Sequence, residues 1–140
     1  MRDMLQTMLI RDEDKRRFPY EDSEGILSIG VGRNLEDVGL RDDEIQLMLD
    51  NDIKVVREQL SHVDWFRNLN GPRQRVIENM VFNLGWSRFM GFKKTIAYII
   101  QHNYEAASRE MLDSKWAVQV KSRAIRLSNI MRTGEYGREY

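Results

Sequence analysis

The chain has 140 residues, with 22 acidic and 22 basic side chains, so its formal net charge is zero. That balance argues against a general nucleic-acid binder. Hydrophobic residues make up 41% and include three tryptophans, enough for the packed core of one compact domain. There is no cysteine, which excludes disulfides and cysteine-ligated metal sites.

Met4, Leu5, Met8 and Leu9 fall on one helical stripe, which predicts a short amphipathic helix over 3–13 that ends near Glu13. This N-terminal stretch lacks the apolar core of a signal peptide, and no run approaches the roughly 18 apolar residues of a membrane span. Pro19 blocks helix continuation and suits a turn or the start of a strand. Asp22 then opens a Ser-Glu-Gly turn, and Ile26-Leu27-Ser28-Ile29 with Gly30 and Gly32 reads as a short, twisted sheet segment. Glycine in such a run marks a turn or bulge, or a close approach by ligand or backbone.

Ile45, Met48, Leu49, Ile53, Val56 and Leu60 recur at three- and four-residue spacing, which predicts a long helix over 42–61 with acids crowding its first turn. Asn70-Gly71 is a turn signal, and Pro72 suits the start of the next helix, a doubly apolar segment over 73–84 that Gly85 ends. Further helices are expected near 91–101, 104–112 and 121–132, with Ser114–Val120 as a connection and Gly134 as the last stop. The three tryptophans, Trp65, Trp86 and Trp116, are expected in packing, as are the helically spaced methionines. His62 and His102 are too far apart and too few for a metal site. Residues 36–52 hold seven acids against Arg41, whereas 114–134 hold Lys115, Lys121, Arg123, Arg126 and Arg132 with no acid. These two stretches read either as solvated helix faces or as a contact for an anionic polymer.

One combination carries chemistry. Hydrolysis of a glycosidic bond commonly needs two carboxyl groups, one to protonate the leaving oxygen and one to activate water or attack the sugar. Glu13 on a helix end, with Asp22 and the Ser28 hydroxyl on a small sheet, could flank a sugar bond from two sides. Among 22 acids such a pair arises readily by chance, so the order of the surrounding motifs decides.

Met8-Leu9-Ile10-Arg11-Asp12-Glu13, Tyr20-Glu21-Asp22-Ser23-Glu24-Gly25 and Ser28-Ile29-Gly30-Val31-Gly32 together resemble the phage lysozymes of the T-even type, glycoside hydrolase family 24. Asn79-Met80-Val81-Phe82-Asn83-Leu84-Gly85 resembles the central-helix motif of that family. Ser114-Lys115-Trp116, Gln119, Arg123, Arg126 and Arg132-Thr133-Gly134 resemble its C-terminal segment. The likeness runs from about residue 4 to 136.

The resemblance implies an α+β, mainly helical, lysozyme-like fold of two lobes, with a small antiparallel sheet and a long interlobe helix. The sheet-bearing lobe would span about 15–50, the interlobe helix about 42–61, and the helical lobe about 62–136 plus the N-terminal helix. It implies cleavage of the β-1,4 bond between N-acetylmuramic acid and N-acetylglucosamine in peptidoglycan, with inversion. Glu13 would be the general acid, Asp22 would hold the attacking water or stabilise charge on the sugar, and Ser28 would position that water. Arg123 would pair with the catalytic glutamate. Gly32, Asn34, Phe82, Asn83, Ser114 and Lys115 would contact substrate.

Several positions depart from the family pattern. Ser28 stands where threonine is usual, and Asp14 stands where glycine usually follows the glutamate. Arg33-Asn34 replaces a histidine found in some members. The chain is also shorter between the sheet and the long helix. The implied role is that of an endolysin, a monomer held in the host cytoplasm until a holin opens the inner membrane, with a virion-associated or prophage-borne lysozyme as the alternative. It would act on bacterial peptidoglycan with no metal or organic cofactor, no nucleic-acid partner and no stable membrane association. Its neutral charge predicts modest salt dependence on anionic walls. The rival readings are a binding module that has lost turnover and a lytic transglycosylase.

Overall fold

Local sequence signals set most of the element ends in the computed structural model, which describes residues 3–138 and 140. The fold is α+β and mainly helical, with a three-stranded antiparallel sheet. It divides into two units, residues 1–48 and 49–140.

In the first unit, α1 (Met4–Glu13) starts on a capping box in which the Asp3 side chain accepts from the Leu5 N–H and the Asp3 N–H reaches Gln6. Strands β1 (Arg16–Glu21), β2 (Leu27–Gly30) and β3 (Arg33–Asn34) follow in the order β1-β2-β3. Tyr20 pairs with Ser28, and Ser28 with Asn34, across the sheet. The register of β1 shifts between Arg16 and Tyr20. Pro19 lies in that stretch, inside the strand, at the kind of ladder break where a residue without an N–H is tolerated. α1 buries no residue, and Met4 and Met8 are exposed. These two methionines and the exposed Met48 therefore depart from the expected core role.

The boundary between the units falls within α2 (Asp42–Leu60). The second unit continues with α3 (Asp64–Arg67), α4 (Gly71–Leu84), α5 (Trp86–Met90), α6 (Lys93–Ile100), α7 (Tyr104–Leu112), α8 (Lys115–Val120) and α9 (Ser122–Thr133). Its core joins Leu60, Val76, Ile77, Met80, Phe89, Ile99, Met111, Trp116, Leu127 and Met131. Burial of each large side chain contributes roughly 1.5–3 kcal/mol. Asn70 caps α4 through the Arg73 N–H, with Pro72 in the first turn, and Gly134 ends α9 in the left-handed conformation. Arg73 donates to the Met131 carbonyl at 2.7 Å and the Arg132 carbonyl at 3.1 Å, with its guanidinium 3.7 Å from the Tyr104 ring centre. It thereby closes the C-terminus of α9. The stretch expected as a connection at 114–120 is largely helical: Ser114 caps α8 by accepting from the Ala117 N–H.

Candidate active site

The candidate residues fall into two groups, one in each unit. In the first, Glu13 is the last residue of α1 because Asp14 leaves the helix with φ +68° and ψ 167°. Glycine adopts that conformation freely and other residues do so only under strain. The Asp14 carboxylate accepts from the Lys15 N–H at 2.8 Å and faces Arg16 at 3.5 Å. Its charge is thus answered locally, on the solvent side.

The Glu13 side chain lies on the turn between β2 and β3. A Cβ built on Gly32 would stand 2.9 Å from Glu13 Oε2 and 3.1 Å from its Cδ, and Gly32 also has φ +67°. Glycine is required there twice, for its backbone and for the space that the carboxyl group occupies. Gly32, expected as a substrate contact, therefore also seats the candidate acid. Among the described residues of its own unit, the Glu13 carboxylate has no hydrogen bond or ion pair.

Asp22 is fixed by its own turn. Its Oδ1 accepts from the Glu24 N–H at 2.8 Å and the Ile26 N–H at 2.9 Å, while its N–H donates to the Ile26 carbonyl at 2.9 Å. Gly25, at φ +78°, completes the turn. One carboxylate oxygen is thus anchored and the group half-buried. Ser28 is buried, and its hydroxyl donates to the Ile26 carbonyl at 3.4 Å. Asn34 commits its side chain to the following loop, accepting from the Glu36 and Asp37 N–H groups at 3.0 and 2.9 Å.

Beside Asn34, Arg33 donates to Glu44 at 2.6 Å and to the Gly39 carbonyl at 3.2 Å. The same Glu44 oxygen accepts from the Arg41 N–H at 2.9 Å. The Arg33 hydrogen bond first, and the Arg41 N–H second, pull the Glu44 carboxyl from 4.5 down to about 2. Arg33 thus carries a salt bridge that ties the 35–41 loop to the first turn of α2.

In the second unit, Asn83 on α4 accepts from the Trp116 indole N–H at 2.8 Å. Phe82 is exposed beside it. Ser114, Lys115 and Trp116 line a groove of about 520 Å³, whose wall includes Phe92 and the buried Thr95. Arg123 on α9 is half-buried and gives both Nε (3.0 Å) and Nη2 (2.7 Å) to Asn79 Oδ1. Arg123, Asn79 and Phe82 line a separate recess of about 380 Å³ together with Glu78, which pairs with Arg57 and Arg75. Asn79, Thr95 and Trp116 were not singled out from the sequence as site residues. A signal for the first was present: Asn79, Phe82 and Asn83 stand at i, i+3 and i+4, one face of an otherwise apolar helix.

No family model matches the chain. It is 24% identical, over 93% of its length, to Probable T4-type lysozyme 1 of Dictyostelium discoideum, covering 94% of that protein. The figures for Probable T4-type lysozyme 2 of the same organism are the same. It is also 27% identical to the pre-baseplate central spike protein Gp5 of Enterobacteria phage T4, where the match covers 28% of the longer protein. The chain resembles the T4-type lysozymes. The similarity extends through both units, and so through both groups of candidate residues.

Proposed function

We propose that this protein is a glycoside hydrolase of peptidoglycan, cleaving the β-1,4 bond between N-acetylmuramic acid and N-acetylglucosamine. Similarity to lysozymes along almost the whole chain supports the reaction class. The observation that carries it to particular atoms is the Glu13 carboxyl group seated on Gly32 with no partner in its own unit. Such a group is free to meet the leaving oxygen of a bound glycan as its general acid. Asp22, with one oxygen anchored and the other unclaimed among the described residues, holds the attacking water or stabilises charge on the sugar. Ser28 positions that water, and Arg123 is the supporting cation.

Gly32, Asn34, Phe82, Asn83, Ser114 and Lys115 contact the glycan strand in this reading, and the reaction proceeds with inversion. The biological setting is lysis of a bacterial cell by a phage enzyme, a monomer released to the wall when a holin opens the membrane. No helix of the described residues is long and apolar enough to cross a membrane itself.

The test is clearing of purified Gram-negative sacculi by the wild type and by Glu13→Gln. Clearing by the wild type alone, with both proteins equally folded by circular dichroism, supports the reading. If neither clears but both sediment with sacculi, the protein is a wall-binding module. Anhydromuramic ends among the products identify a transglycosylase instead.

A further inference from the structure

A third recess of the helical unit, about 300 Å³ in volume, has no part in either group of candidate residues. Its apolar floor is made by Leu69 and Ile99, both buried, with Ile100 exposed at the rim. Trp65 forms one wall. Its ring packs on Phe89 with centroids 6.3 Å apart, yet among the described residues its indole N–H has no acceptor. Trp116, by contrast, has its N–H satisfied by Asn83. Trp65 is half-buried and lines the recess, so its unpartnered indole N–H is a donor available to a ligand seated there.

Three more polar groups stand around the same space. Asn68 lines it with an exposed side-chain amide that has no partner among the described residues. His102 and Tyr104 close the other side, the imidazole Nδ1 being 3.1 Å from the tyrosine hydroxyl. His102 holds φ +59°, where glycine would sit without strain. The α6–α7 turn thus keeps a hydrogen-bonding ring where the backbone prefers no side chain.

Charge narrows the class of ligand. The one carboxylate lining the recess, Asp64, is already paired with Arg67, so the site is built neither for an anion nor for a free cation. A purely apolar ligand would leave the indole N–H and the amide desolvated and unpaired. A small, neutral molecule with one apolar face and several hydroxyl or amide groups satisfies all of them. The volume lies at the small end for ligand sites, which suits a single ring.

We propose that this recess is an accessory subsite for an N-acetylhexosamine unit of a glycan. The apolar face of the pyranose ring lies on Trp65, and the acetamido methyl lies on Ile99 and Ile100. The acetamido and hydroxyl groups bond with the Trp65 N–H, the Asn68 amide and the His102–Tyr104 pair. The inference goes beyond catalysis and does not depend on it, since a chain without turnover keeps this recess.

The full chain carrying Glu13→Gln, labelled with nitrogen-15, is titrated with tri-N-acetylchitotriose while indole and side-chain amide resonances are followed. Trp65→Phe assigns the Trp65 indole signal. The expected result is a saturable shift of the Trp65 indole and the Asn68 amide. The exposed Asn68→Ala change should raise the midpoint for Trp65 roughly three- to tenfold, as loss of one hydrogen bond does, with the Trp116 signal unaffected. Stationary Trp65 and Asn68 signals at millimolar sugar overturn the proposal, as does an unchanged midpoint in Asn68→Ala. Failure of the wild type to clear sacculi would count against the enzyme reading and leave the Trp65 shift untouched.

Discussion

Arg123 binds one oxygen, Oδ1 of Asn79, with two of its nitrogens, at 3.0 and 2.7 Å. This fixes the guanidinium plane and joins the middle of α4 to the start of α9. Asn79→Ala leaves a half-buried cation with its strongest acceptor removed, a loss of roughly 1–3 kcal/mol in unfolding free energy. Urea denaturation measures that cost. In the catalytic reading, sacculus clearing should fall about tenfold or more under conditions where the variant is fully folded. Undiminished clearing would mean that Arg123 needs no such support.

Gly32 has little room to change. An alanine there meets Glu13 Oε2 and must also hold φ +67°. Gly32→Ala is expected to lose about 1–3 kcal/mol of stability through the backbone alone. Because the new methyl group also displaces the Glu13 carboxyl, clearing should drop by more than the folded fraction does. A variant as active per folded molecule as the wild type would show that Glu13 is not seated there during turnover.

Asp14 points in the opposite direction. With φ +68° and a carboxylate engaged, among the described residues, by the Lys15 N–H and Arg16 at the surface, it bears strain that glycine would release. Asp14→Gly should raise stability by about 0.5–1 kcal/mol, visible as a higher melting temperature, with clearing retained. A lower melting temperature would show that the local carboxylate contacts outweigh the backbone term.

The Arg33–Glu44 pair predicts an acid limb. Glu44 titrates near 4.5 in an unfolded chain and is held at about 2 in the folded one. A depressed carboxyl group stabilises the fold fully above its unfolded value, and that contribution disappears as pH falls through 4.5 towards 2. Urea midpoints measured between pH 6 and pH 2 should therefore fall less steeply in Glu44→Gln than in the wild type. Parallel curves would assign the acid limb to other carboxylates.

How far the sequence could be read depended on element length. The stripe from Ile45 to Leu60 repeats over enough turns to declare a helix, and it forms one over 42–60. The doubly apolar 73–84 segment likewise became a core helix with Val76, Ile77 and Met80 inside. By contrast, α3, α5 and α8 are too short to repeat an apolar pattern, and the Ser114 cap gave the only local sign of α8. Strand β1 was obscured by Pro19, which it accommodates at a break in register. Glu13 and Gly32 were both visible as motif residues, but their contact was not, because nothing in linear spacing brings a helix end onto a hairpin turn. The pairing of Asn79 with Arg123 was hidden for a similar reason, since the two lie 44 positions apart on different helices.

The last helix carries a consequence for synthesis. Ala124, Leu127, Ile130 and Met131 of α9 complete the core around α4 and α7, and Arg73 finds its carbonyl partners only at the end of α9. While the ribosome is still making α4 to α8, Val76, Ile77 and Met80 lack the part of their core that α9 supplies. The helical unit must therefore lock after its final helix emerges, not progressively as each helix appears. A stalled or shortened product ending before Ser122 would leave the apolar surface that α9 covers open to solvent. Any activity that needs this unit would arise all at once, only in molecules translated through α9.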